Sequence, residues 1–255
     1  MQNSMNTLEI NNQTISNREL TPLVTTMLPQ ILRETIVERA IASIACTREE
    51  IATACQKLFQ QHQIHDIATH EAWLRRYGLN HQQFQSLATR KLRIEKFKQA
   101  TWGKKLESYF LQRKKYLDRV VYSMIRTSEL GIAQELHFRI QAGEQSFGEL
   151  AKTYSLGPEA DTNGIIGPVE MGMLHPSIAR QLQVSHPGQL WHPIPFEEYF
   201  LIIKLEKLLP AQLDVFMRER LLKELFEAWL QEQIQQLPNT DKAWLVTNRM
   251  KAEAA

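Results

Sequence analysis

Apolar residues recur along this chain at two different periods, and the change of period divides it. From Leu28 to Ala45, the residues Leu28, Leu32, Ile36, Ala40 and Ile44 return every four positions, the spacing of one helix face. Thr47 and Glu50 then have capping-box spacing, in which each side chain satisfies the other's orphan amide at a helix start. Ile51, Ala54, Cys55, Leu58 and Phe59 follow on one side. A short helix around Glu71 to Tyr77 ends at Gly78, and Asn80 with Gln83 opens another bearing Phe84, Leu87, Ala88 and Leu92. After Gly103 a last helix shows Leu106, Tyr109, Phe110 and Leu117, so the first half predicts helices alone.

Between Leu117 and Lys207 the pattern alternates between strand and helix. Val120 to Ile125 is β-branched and apolar, which predicts a strand. Ser128 can cap a helix carrying Ala133, Leu136 and Ile140, which ends at Gly143, and His137 is expected on its outer side. Ser146 and Glu149 form a second capping box ahead of Phe147, Leu150, Ala151 and Tyr154. Asn163-Gly164 supplies positive φ, Ile165 to Gly167 reads as a very short strand, and Pro176 can occupy the first turn of a helix to Leu182. After a turn at Pro187-Gly188, Gln189 to Ile194 and Tyr199 to Lys207 predict two facing strands joined by Pro195 to Glu198. Leu213 to Leu237 returns to helix, with Leu213, Phe216, Leu221, Leu225, Trp229 and Ile234 on its buried side.

Four motifs stand in order here: FGELAKTYS (147–155), the G-x-x-G of Gly164 and Gly167, the turn Pro187-Gly188-Gln189, and the closing IIKLEK (202–207). Together they resemble a parvulin-type peptidyl-prolyl cis-trans isomerase domain. The stretch EAWLRRYGLNHQQFQSLATRKLRIEKF (71–97) is similar to the helical chaperone region of SurA, PrsA and NifM-like proteins. The resemblance implies an α+β fold: a parvulin-like domain, a small antiparallel sheet flanked by helices, inserted into a mainly α-helical chaperone domain. The expected boundaries are a flexible tail over 1–26, helical domain 27–117, parvulin-like domain 118–208, a completing helix 209–238 and a tail 239–255.

The same resemblance implies where a site would lie. Parvulins carry a histidine in the first strand and another in the last, and those positions fall on Tyr122 and Leu201. Their Cys or Asp after the second helix falls on Gly157, the acid after the first glycine of the turn on Ile165, and the Thr and Ser beside the final hairpin on Phe196 and Glu198. Ile166, Leu174 and Ile178 fall where the family holds the proline ring with a Leu, a Met and a Phe. An apolar pocket without titratable groups can still desolvate an amide, whereas hydrogen bonds that polarise it would be missing. The implied function is a foldase or chaperone that binds unfolded or extended proline-containing polypeptide with weak isomerase activity. An inactive binding chaperone or adaptor, for a protein awaiting export or maturation, stays open beside it.

Composition narrows the rest. A hydrophobic share of 43% and a charged share of 23% are ordinary for a globular protein, and a net charge of +2 predicts no general attraction to nucleic acid or membrane. The basic stretch from Arg90 to Arg119 reads as a solvated helix face. The N-terminal residues lack a basic segment followed by an apolar run, and no long apolar segment occurs, which predicts a cytoplasmic protein with no membrane span. Cys46 and Cys55 fit neither a disulfide framework nor a redox pair and are expected to be buried and inert. His62, His65 and His70 read as a surface group rather than a metal site, so no cofactor or metal is expected. No nucleophile elbow or phosphate-binding glycine loop supports a hydrolase or a nucleotide enzyme.

Overall fold

Short polar side chains set the helix starts. Thr47, Asp66, Asn80 and Ser146 each accept the amide three residues on, while the side chain of that residue accepts the cap's own amide. The computed structural model describes residues 8–10, 13–15 and 17–237. In chain order the elements are strands β1 (Leu8–Ile10) and β2 (Gln13–Ile15), then helices α1 (Asn17–Ile41), α2 (Arg48–Gln61), α3 (Ile67–Tyr77), α4 (His81–Trp102) and α5 (Leu106–Leu117). They continue as β3 (Arg119–Thr127), α6 (Leu130–Ala142), α7 (Phe147–Tyr154), β4 (Ile165–Glu170), α8 (Pro176–Gln183), β5 (Ile194–Phe196), β6 (Tyr199–Leu209) and α9 (Val215–Gln236). The chain forms two compact units, one running up to Leu106 and resuming at Glu219, the other spanning Glu107–Arg218.

In the helical unit the core joins the two ends of the chain. Val37 and Ile41 of α1 are buried with Phe226 and Leu230 of α9, and Phe97, Trp102 and Trp229 pack against them. Ring centroids lie 6.2 Å apart for Phe97 and Phe226, 5.7 Å for Phe226 and Trp229, and 5.2 Å for Phe97 and Trp229. Arg33 donates two hydrogen bonds of 2.7 Å to the Glu227 carboxylate, which holds Glu227 below the usual carboxylate range. Part of the basic stretch is neutralised within the fold. Arg90 pairs with Glu34 and Glu38, Lys96 with Glu50, and Lys98 with Glu95.

Several expectations for this unit are corrected. The helix expected from Leu28 begins at Asn17, and β1 pairs with β2, so part of the expected tail is regular structure. The four-residue apolar repeat marked only the later part of this helix, and Pro29 lies inside α1. The remaining tail residues, 1–7, 11, 12 and 16, and those from 238 on, lie outside the described residues. On α9 the buried residues are Leu221, Leu222, Phe226 and Leu230, one position off the expected stripe at its middle, and Phe216 is 81% exposed. His70 does not group with His62 and His65 at the surface. It is half-buried against Phe59 and Phe84, at ring distances of 5.0 and 4.6 Å. Cys46 and Cys55 are half-buried rather than buried.

The second unit is built on an antiparallel sheet of order β4-β3-β6-β5. Successive residues of a strand face opposite sides, and on β3 and β6 both sides are covered. Ile125 and Ile202 lie against α6 and α7, with Ala133, Leu136, Phe147, Leu150 and Ala151. Met124, Leu201 and Ile203 face the other way, toward Ile178 and Leu182 of α8. Residues 189–193 do not form the expected strand, since Leu190 makes only an isolated bridge with Lys204. The hairpin is also tighter than Pro195 to Glu198: Pro195 and Phe196 are strand residues, and Glu197-Glu198 turn the chain with φ of 51° at Glu197. Glu129, not Ser128, precedes α6, and Tyr154 is 41% exposed.

His137 is 3% exposed instead of facing outward, with its ring 4.5 Å from that of His192. Burial, and then the charge of His192, push its imidazole below the ordinary 6.5. Unfolded chain therefore binds more protons than folded chain between the folded value and about 6.5, so stability is full above that window and falls as pH drops through it. Urea unfolding is expected to be easier at pH 5.5 than at pH 8 for this reason. His137→Leu is expected to flatten this difference.

Candidate functional site

Two glycines bring β4 onto the sheet. Gly167 has φ of +109°, and a Cβ there would sit 2.5 Å from the Val120 carbonyl oxygen. Gly164 has φ of +81°, with Ala151 and Phe147 side chains and the Met124 oxygen crowding the same place, while its own carbonyl accepts the Met124 amide at 2.9 Å. The close approach sets Ile166 opposite Tyr122, which pairs on its other side with Leu205. Leu201 lies opposite Arg126, four residues along β3 from Tyr122.

The expected site residues divide into a floor and a rim. Tyr122, Leu201 and Ile178 belong to one buried cluster at 4%, 1% and 6% exposure, and Ile166, Leu174, Phe196 and Tyr199 pack against it half-buried. Tyr122 and Leu201 are thus core, and Ile166, Leu174 and Phe196 form its half-buried rim. His175 completes that rim: its ring stands edge-on to Phe196 at 4.9 Å, and its Nδ1 shares a 2.7 Å hydrogen bond with Ser177 Oγ at the start of α8. Glu198 is exposed in the hairpin turn, where its hydrogen bond and charge push the Tyr199 phenol above its usual value. Burial, and then the Glu159 charge, do the same to Tyr122.

Gly157 has a role that its lack of a side chain conceals. A Cβ built there would lie 2.3 Å from the Glu159 carboxylate, so this acid fills the space a residue-157 side chain would take. Glu159 is 3% exposed, accepts a 2.6 Å hydrogen bond from Ser155 Oγ, and lies 3.5 Å from Arg126 Nε. Arg126 in turn stands over the Tyr199 ring at 5.5 Å, and its buried Nε makes no hydrogen bond. A polar group therefore does sit beside the apolar floor, built from Arg126, Ser155, Glu159 and Tyr199. Sequence reasoning missed it because Ser155 and Glu159 flank a helix end and carry no pattern of their own. The available signal was a strand arginine needing a partner near Gly157.

Glu159→Gln keeps a hydrogen-bond acceptor for Ser155 and removes the counter-charge of Arg126. Because Arg126 is partly open to water, the expected cost is about 1–2 kcal/mol, seen as a fall of several degrees in the melting temperature of the purified protein.

Residues 127–207 match the family model of the PPIC-type PPIASE domain, named Rotamase, and this part of the chain is a parvulin-type peptidyl-prolyl isomerase domain. Among solved structures, the chain is similar to peptidylprolyl isomerase PrsA from Bacillus cereus. Identity is 20%, covering 96% of this chain and 90% of that one, with a TM-score of 0.46. It is similar to one of the two SurA-like chaperones PEB4 and Cj1289 of Campylobacter jejuni at 15% identity, covering 90% of this chain and 93% of that one, with a TM-score of 0.37. The parvulin domain of PpiD from E. coli is 26% identical, covering 38% of this chain and 95% of that one, with a TM-score of 0.34. No curated protein matches the chain. Among the described residues no helix is long and apolar enough to cross a membrane, and no group of three or more His, Cys, Asp or Glu side chains could hold a metal ion.

Proposed function

We infer that this protein is a foldase or chaperone of the peptidyl-prolyl isomerase family. It binds an unfolded or extended Xaa-Pro segment on the rim of Ile166, Leu174 and Phe196, above a floor of Ile178, Leu201 and Tyr122. The observation that carries this reading is the half-buried apolar rim on a packed apolar floor within a PPIC-type domain. Rotation about an Xaa-Pro bond breaks no covalent bond, and its barrier of roughly 18–20 kcal/mol falls when the planar amide is desolvated and the ring is held. The rim supplies those two effects. Neither Tyr122 nor Leu201 offers an imidazole, so the acceleration is weak. Cys46 and Cys55 are both free thiols, in keeping with a cytoplasmic protein.

A protease-coupled isomerisation assay on tetrapeptides that vary the residue before proline tests this. The expected result is slow but saturable acceleration, lost in Leu174→Asp, with peptide affinity lowered at least about tenfold, or about 1.4 kcal/mol. Phe196→Ala is expected to weaken binding less. Unchanged affinity in both variants, with the fold intact by circular dichroism, would remove the rim from the proposal. The replaced histidines favour a second reading, a binding chaperone without catalysis. It predicts the same affinity losses and no acceleration in the parent protein.

A further inference from the structure

The helical unit carries an unfilled groove of its own. α2 and α4 run antiparallel: Phe59 stacks on Phe84 at 5.1 Å near one end, and Lys96 reaches Glu50 near the other. Their apolar stripes are only half covered. α2 has no buried residue at all, and on α4 Leu87 is 45% exposed. Between them lies a groove of 670 Å³ floored by Ala54, Leu58, Leu87, Ala88 and Leu92. Two alanines in that floor let the backbone of an occupant come close, as it must when a third helix lies across a helix pair.

Charges along the groove are separated by sign. Glu49 and Glu95 line it near the start of α2, and Lys57 and Lys91 line it from both helices further toward the Leu87 end. Among the described residues Lys57 and Lys91 are exposed and have no carboxylate partner, unlike Lys96 and Lys98. Two like charges lining one apolar groove repel, and an acid set near both from an occupant relieves this. Along α2 the step from Glu49 to Lys57 is two turns, or about 12 Å. From Lys91 to Glu95 along α4 it is one turn, or about 6 Å.

We propose that this groove docks an amphipathic helical segment of a client polypeptide, with an acidic residue between Lys57 and Lys91 and a basic residue one to two turns later facing Glu49 and Glu95. This specificity rests on the chaperone reading above but uses a different surface, so each can fail alone: the tetrapeptide assay reads Leu174 and Phe196, and the groove assay reads Leu87, Lys57 and Lys91. An acid ahead of a base along a helix also suits the occupant's own dipole, so such segments form readily.

The test uses the full chain and a fluorescein-labelled, end-blocked sixteen-residue peptide. It has leucines and alanines on one helical face, aspartate early in the sequence and lysine two turns later. A second peptide exchanges the aspartate and the lysine. Fluorescence anisotropy is expected to show saturable binding of the first peptide, weakened at least about tenfold in the double variant Lys57→Glu and Lys91→Glu, which instead favours the second peptide. Leu87→Asp, at an exposed position and checked by circular dichroism, is expected to abolish binding of both. Equal binding of the two peptides to parent and double variant would overturn the proposal. So would failure of both peptides to bind the parent, including the case of a dimer in sedimentation that Leu87→Asp dissociates, which would give the groove to a second copy of this chain.

Discussion

Phe226→Ala is expected to destabilise the helical unit by about 3–5 kcal/mol, the range for removing a buried aromatic side chain. Phe226 is 5% exposed and meets Phe97, Trp102 and Trp229, with ring centroids between 5.7 and 6.3 Å away, while Lys98 stands over its ring at 5.3 Å. Alanine would leave a cavity that neighbours from three helices cannot close together, because α1, α4 and α9 are each held by further contacts in the same cluster. Hydrogen exchange followed by mass spectrometry should show faster exchange in α1 and α9, and urea unfolding should shift to lower concentration. A midpoint within error of the parent would mean that α9 does not complete this core.

Gly167→Ala is expected to cost about 3–5 kcal/mol in the sheet-containing unit. Part is backbone strain of roughly 1–3 kcal/mol, since an L-residue rarely adopts the φ of +109° found there. The rest is overlap, because the added carbon would sit 2.5 Å from the Val120 oxygen and 3.3 Å from Val121 Cα, both backbone atoms of a central strand that cannot swing aside. β4 would have to move away from β3, taking Ile166 off the rim, so loss of proline-peptide binding should accompany loss of stability. Retained stability in this variant would show that β4 does not need so close an approach.

The elements were most legible where local chemistry decides them. The capping boxes at Thr47, Asn80 and Ser146, the left-handed residues Gly143, Asn163 and Gly164, and Pro176 in the first turn of α8 all stand as their sequences imply. The small antiparallel sheet beside helices is likewise present. Errors came where tertiary packing decides. Residues 189–193 alternate well enough for a strand but find only one bridge, and the buried face of α9 is set by the aromatic cluster rather than by the best local stripe. On α2 and α4 the apolar stripes were legible, but not that they stay half open.

At the site, the parvulin resemblance pointed to the apolar residues that gather in one cluster and could not say which of them are covered. Tyr122 and Leu201 alternate with residues on the opposite sheet face, and only the packing of α8 over them makes them core. The Arg126 and Glu159 pair was invisible for a related reason. It joins a strand to a one-turn segment thirty-odd residues later, and no period links the two.

Chemical-shift mapping by NMR, with a proline-containing peptide titrated into isotope-labelled protein, tests the rim as the place where polypeptide binds. The expected result is a set of perturbed resonances centred on Ile166, Leu174, His175, Phe196 and Tyr199, with exchange peaks linking the cis and trans forms of the peptide if catalysis survives. Perturbations confined to other surfaces, or none at saturating peptide, would contradict it.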